Sequence, residues 1–227
     1  MTATVRSTGF TNSGATAVTS FSPAMPAGFV AGDLLIGIAV NGSGTSPATG
    51  PSGNTLILNT VDVGVFNMDV VRKVAVGGDV FNWTIGTAQK WAGCVIAITA
   101  GSYNTTTPVQ GAVGVAQGST ATLSFVTPSS TPGNTDSLII CAFGQQGGAT
   151  WQCNSTVPSM VELADTTSTG TTPASLGAYA SATPPAGSSL TRTGTATLSS
   201  ANACMFLMFV NPSPVVGPPS LVMAPKR

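Results

Sequence analysis

Histidine is missing from all 227 residues, which removes Ser-His-Asp and Cys-His nucleophilic chemistry and the commonest ligand for zinc. Charge is nearly missing too. Only 6% of residues are Asp, Glu, Lys or Arg, and seven acids balance seven bases. No window gathers Lys or Arg into a patch able to neutralise phosphates, so nucleic acid is not an expected partner. Apolar runs stay well short of the roughly 18 residues of a membrane span, and MTATVRSTGF lacks a basic segment followed by an apolar one. The expectation is therefore folding in a cytosol, with no membrane span. Cys94, Cys141, Cys153 and Cys204 show no Cys-x-x-Cys spacing, which speaks against a structural zinc site or a redox pair. Three of them lie in apolar runs, and buried thiols are expected in a reducing compartment. There is no Walker-type loop, and no cofactor or metal is expected.

What the chain does have is apolar residues, 42% of the total, set among Gly, Ser, Thr, Asn and Pro. That balance is the opposite of a disordered chain's, and 227 residues suffice for a large core. A surface without net charge lacks the repulsion that keeps proteins apart, so repeated copies or a homo-oligomer are expected.

Helical periodicity is not sustained anywhere, whereas short runs rich in Val, Ile, Leu, Thr and Phe recur between turn clusters. They fall at 33–41, 55–60, 66–75, 80–85 and 91–99, then at 121–127, 136–143, 160–164, 175–182, 190–198 and 204–210. Val76-Gly77-Gly78-Asp79 reads as a tight hairpin turn. The two series match each other. Gly32-Asp33-Leu34-Leu35-Ile36 aligns with Thr135-Asp136-Ser137-Leu138-Ile139 at an offset of 103 (33 to 136), and Cys94-Val95-Ile96 with Cys204-Met205-Phe206 at 110 (94 to 204).

The fold expected is all-β: one antiparallel β-sandwich, jelly-roll-like, over residues 1–211, built from related halves at about 15–104 and 117–211. The segment 103–119 reads as their connection. Residues 212–227 are dense in proline, with Pro212, Pro214, Pro218, Pro219, Leu221 and Pro225 along an expected assembly arm. An extended arm of that length reaches on the order of 50 Å at about 3.1 Å per residue.

Chemistry-bearing residues are few. Trp83 and Trp91 sit in strand patterns and read as core, whereas Trp151, in a Gly-Gly-Ala-Thr-Trp-Gln-Cys context, reads as an exposed loop ring and a candidate glycan contact. Glu162 and Asp165 form a close acid pair, the minimum for glycoside hydrolysis, but three residues apart on a regular strand they point to opposite faces. Asp33 and Asp136 precede the two strongest strands and are expected to bind turn amides.

The stretch Pro26-Ala27-Gly28-Phe29-Val30-Ala31-Gly32-Asp33-Leu34-Leu35-Ile36 resembles a PAG-x-x-x-GDLL segment of bacteriophage virion proteins. Val71-Arg72-Lys73-Val74-Ala75, Phe81-Asn82-Trp83-Thr84 and Trp91-Ala92-Gly93 continue the likeness, which spans about 15–211. Asn54-Thr55 departs from it where Gly-Trp is common, so no role of that tryptophan carries over. The resemblance implies a β-sandwich structural protein of the minor tail or head decoration type, located in the virion and partnered by other phage capsid or tail proteins. It supplies no catalytic residues. Host-surface glycan adhesion is the alternative, and a polysaccharide depolymerase the weakest reading.

Overall fold

A computed structural model describes residues 2–42, 50, 52–62, 66–117, 120–134, 136–154, 158–181 and 187–214. Described residues of the first half form β1 (Val5–Asn12), β2 (Val18–Phe21), β3 (Leu34–Asn41), β4 (Thr55–Asp62), β5 (Phe66–Val74), β6 (Trp83–Gln89) and β7 (Trp91–Ile98). The second half forms β8 (Val109–Gln117), β9 (Thr122–Val126), β10 (Leu138–Gln146), β11 (Trp151–Cys153), β12 (Val161–Thr167), β13 (Ala174–Ser181), β14 (Thr193–Ser200) and β15 (Ala203–Val210). The protein is all-β, as the alternation of apolar runs and turn clusters predicts, and the described strands pair antiparallel.

Each half makes its own large sheet, in orders β1-β7-β3-β5-β4 and β8-β15-β10-β13-β12, and its own small one, β2-β6 and β9-β14-β11. Within the second half the large sheet takes the first, eighth, third and sixth strands and the small one the second, seventh and fourth. That is jelly-roll winding, with the fifth strand, β12, moved to the edge of the large sheet. The first half repeats it, with no counterpart of β11 among the described residues. Jelly-roll order therefore closes inside each half, and the central sandwich arises where the two large sheets face each other.

The halves are related as a pseudo-dimer. β4 lies against β8 and β1 against β12, and the repeat, which maps β1 onto β8 and β4 onto β12, exchanges these two contacts. Side chains alternate across each strand, so each large sheet is buried on both faces. Leu34, Ile36, Ile38 and Val40 point inward to meet Leu138, Ile140, Ala142, Phe206 and Met208 in the shared core. Leu35, Ala39, Val71 and Val95 point outward under the small sheet of the first half, and Ile139, Cys141, Phe143 and Leu207 under that of the second.

Strand pairing corrects the repeat's register. Large-sheet strands correspond as Leu34 to Leu138 and Trp91 to Ala203, offsets of 104 and 112, with β5 mapping to β13 at 108 (Phe66 to Ala174). An offset of 103 would equate outward Leu35 with inward Leu138. The run 103–119 is also more than a connection, because 109–117 is an edge strand paired with β15.

The outer cores conserve volume by exchange. Phe21 pairs with Trp83 in the first half, and Phe125 with Gly194 in the second. Trp83 lies over Gly37, where an added Cβ would stand 2.8 Å from the indole and 2.6 Å from Phe81. In the second half a Cβ on Gly194 would stand 2.6 Å from Phe143 instead. At this pair of positions one half carries its bulk on the small sheet, and the other on the large sheet.

Candidate functional site

Three strands of the second half, β11, β12 and β14, frame a cleft of about 340 Å³ lined by Trp151, Gln152, Glu162, Asp165, Thr195 and Thr197. Trp151 is not the exposed ring its sequence context suggested. It lies in β11, 2% exposed, its ring 5.8 Å from Phe143 and 5.3 Å from Phe125, and its Nε1 donates to Ser175 Oγ at 3.3 Å. The reason is Gly177 beneath it: a Cβ there would stand 2.5 Å from Trp151 Cβ, so the missing side chain makes the seat for the indole.

The acid pair is also placed differently from a regular strand. A bulge between Glu162 and Ala164 sets Glu162 opposite Tyr179 and Asp165 opposite Gly177, two β13 residues of the same face. Both carboxyls thus reach the cleft. Burial raises the Asp165 carboxyl, the Trp151 amide that donates to it at 3.0 Å opposes this, and the neighbouring Glu162 adds to the rise. Below them Tyr179 is buried, its hydroxyl without a partner, and burial first, then the two acids, raises it above its ordinary value. The cleft offers hydroxyls, an amide and two carboxyls, a set able to bind a polar ligand. No group of three His, Cys, Asp or Glu that could hold a metal occurs among the described residues, and no helix there is long and apolar enough to cross a membrane.

Asp33 does what its position implied. Its carboxylate accepts the amides of Val30 and Ala100 and a forked pair of bonds from Arg6. Asp136 is half-buried, and in the corrected register Ser137 is the buried counterpart of Asp33. The four cysteines carry thiols, three of them buried. Burial pushes Cys94 up to about 12, which makes it unreactive.

A polar ladder on the outward face of the first large sheet escaped the sequence reading. Asn41 donates to Asn67, Asn67 to Asn59 and Asn59 to Asp69, across three adjacent strands. Asp69 is 1% exposed and one of its oxygens has no partner. Burial raises its carboxyl to about 7 despite the Asn59 bond. The folded chain then holds a proton that the unfolded chain has released, so this residue makes stability fall as pH rises from 3.8 to about 7. Denaturant melts at pH 5 and pH 8 will show that slope in the native chain and a flatter one in Asp69→Asn. An equal slope in both would remove Asp69 as its source.

Of the expected arm, Pro212 forms an antiparallel bridge with Tyr103 and Pro214 is exposed, while Pro218, Pro219, Leu221 and Pro225 lie outside the described residues. No protein-family model, curated protein or solved structure matches the chain.

Proposed function

We propose that the chain is a non-enzymatic structural protein of a bacteriophage particle, a repeated block on the head or tail surface that joins other virion proteins through strand edges, loops and its C-terminal segment. One observation carries this reading: two jelly rolls packed back to back, a winding that recurs in viral coat domains. The PAG-x-x-x-GDLL segment supports it, as does a composition with zero net charge, which favours association. Mass spectrometry of virus-like particles purified from lysates of cells that carry the gene for this chain is the test. The expected result is the chain in multiple copies per particle, and particles without it would overturn the reading.

Jelly rolls also serve as lectin domains, and the Glu162 and Asp165 cleft favours a second reading, glycan adhesion. Glycan-array binding lost in Glu162→Gln with Asp165→Asn would support it, and no binding by the native chain would end it.

A further inference from the structure

Cys141 and Cys153 face each other between the sheets of the second jelly roll. Cys141 lies on the outward face of β10, opposite Tyr179 on one side and Leu207 on the other. Cys153 lies in β11 opposite Gly194, and a Cβ on Gly194 would stand 2.6 Å from Phe143, which is two residues along β10 from Cys141. Trp151, on the same face of β11 as Cys153, stands over Gly177, whose β10 partner is Phe143. The small sheet thus sets Cys153 over Cys141, in one apolar cluster, and the two thiols are hydrogen-bonded to each other. The run from 141 to 153 is too long for a Cys-x-x-Cys spacing to reveal the pair. Some β-sandwiches bridge their two sheets with a disulfide packed on a buried tryptophan, and Trp151 is such a neighbour here. Cys94 and Cys204 face the central core instead.

Their surroundings give the two thiols different parts. Cys153 is partly exposed, so a small oxidant reaches it, whereas Cys141 is fully buried. Burial holds the Cys141 thiol well above its ordinary value, the contact with Cys153 adds to the rise, and the Arg192 guanidinium opposes it. Arg192 is itself a buried charge, 3% exposed. Its Nε donates to Met160 Sδ and its Nη1 to the Thr191 carbonyl, while Nη2 has no partner and no carboxylate among the described residues accepts from it. A buried guanidinium without a carboxylate favours negative charge nearby, and Cys141 is a group on which it acts. An accessible thiol in contact with a second thiol, with a cation close by, is the arrangement that oxidises reversibly.

We propose that Cys153 and Cys141 form a peroxide-responsive pair, in which Cys153 is the thiol oxidised first and Cys141 the thiol that resolves it into an inter-sheet disulfide. The Cys153 sulfur takes one oxygen from hydrogen peroxide and becomes a sulfenic acid, and the peroxide leaves as water. The Cys141 sulfur then attacks that sulfur: the S–S bond forms, the S–O bond breaks, and the Cys141 proton leaves with the hydroxyl as a second water. The product ties β11, a wall of the acid cleft, to β10. The proposal holds whether or not the chain belongs to a virion. It is tested by treating the full-length chain with dilute hydrogen peroxide, alkylating it, and cutting it with chymotrypsin, which cleaves after Phe143 and Trp151 between the two cysteines. The expected product is a cross-linked peptide pair joining Cys141 to Cys153, separated again by dithiothreitol, with Cys94 and Cys204 still thiols. In Cys141→Ser the cross-link is lost and dimedone labels Cys153 as a sulfenic acid. In Cys153→Ser, a change at a partly exposed residue, Cys141 stays reduced. A native chain that forms no such cross-link, a cross-link that involves Cys94 or Cys204, or Cys141 oxidised as fast in Cys153→Ser as in the native chain would each overturn it.

Discussion

Asp33→Ala will lower the unfolding free energy by about 3–5 kcal/mol, the loss typical of removing one partner from a buried hydrogen-bonded charge pair. Asp33 is fully buried, and its two oxygens accept from Val30 N at 3.0 Å, Ala100 N at 2.8 Å, Arg6 Nε at 2.7 Å and Arg6 Nη2 at 3.1 Å. Alanine leaves two amides and a partly buried guanidinium without these bonds, and each lost partner costs its desolvation. Asp33→Asn keeps one acceptor oxygen and will lose less. Urea unfolding at pH 7 measures both, and a loss under about 1 kcal/mol in Asp33→Ala would contradict the network's role.

The same carboxyl fixes one limb of the pH profile. Burial alone would raise it, but the Val30 amide, the Arg6 guanidinium and the Ala100 amide outweigh burial and hold it below 3.8. Its contribution is therefore present above that value and is lost as pH falls through the lower folded one. Asp79, also buried but bonded to Lys73 and two turn amides, acts in the same direction. Asp69 acts in the opposite direction at higher pH. Together they put greatest stability in mildly acid solution, between the two limbs.

These residues also show what the sequence exposes and what it hides. Asp33 was legible because a turn before a strand needs an acceptor, and because Gly32, at φ 88°, adopts a conformation that L side chains rarely take. Strands buried on both faces were legible as unbroken apolar runs, from β3 and β7 through β15. That same unbroken character hid their register, since a run apolar on both faces carries no parity, and the repeat slipped by one residue between β3 and β10 and by two between β7 and β15. β8 was illegible for the opposite reason: Val-Gln-Gly-Ala-Val-Gly-Val-Ala-Gln is half-buried and glycine-rich, and only its pairing with β15 makes it a strand. The bulge that brings Glu162 and Asp165 together, and the seat that Gly177 offers Trp151, depend on neighbouring strands. Neither leaves a mark within its own segment.

Trp151→Ala separates a structural indole from a binding platform. In the second half Gly177 occupies the place that Asp69 holds in the first, at the 108-residue offset of β5 and β13. The first half fills that region with its Asn and Asp ladder. The second half instead places Trp151 there, against Phe143, Phe125 and the Ser175 hydroxyl. Alanine will empty a seat that Gly177 cannot refill, and the expected loss is about 3–5 kcal/mol, the range for buried Phe or Trp truncation. For a chain of this size that lowers the melting temperature by about 6–20 °C, readable by calorimetry. An indole serving an exposed platform would give the reverse pattern, a melting temperature within experimental error of the native chain and glycan binding lost. The cleft acids allow an independent check, since Glu162 is exposed and Glu162→Gln keeps its size, leaving Trp151, Phe143 and Phe125 in place and the melting temperature with them.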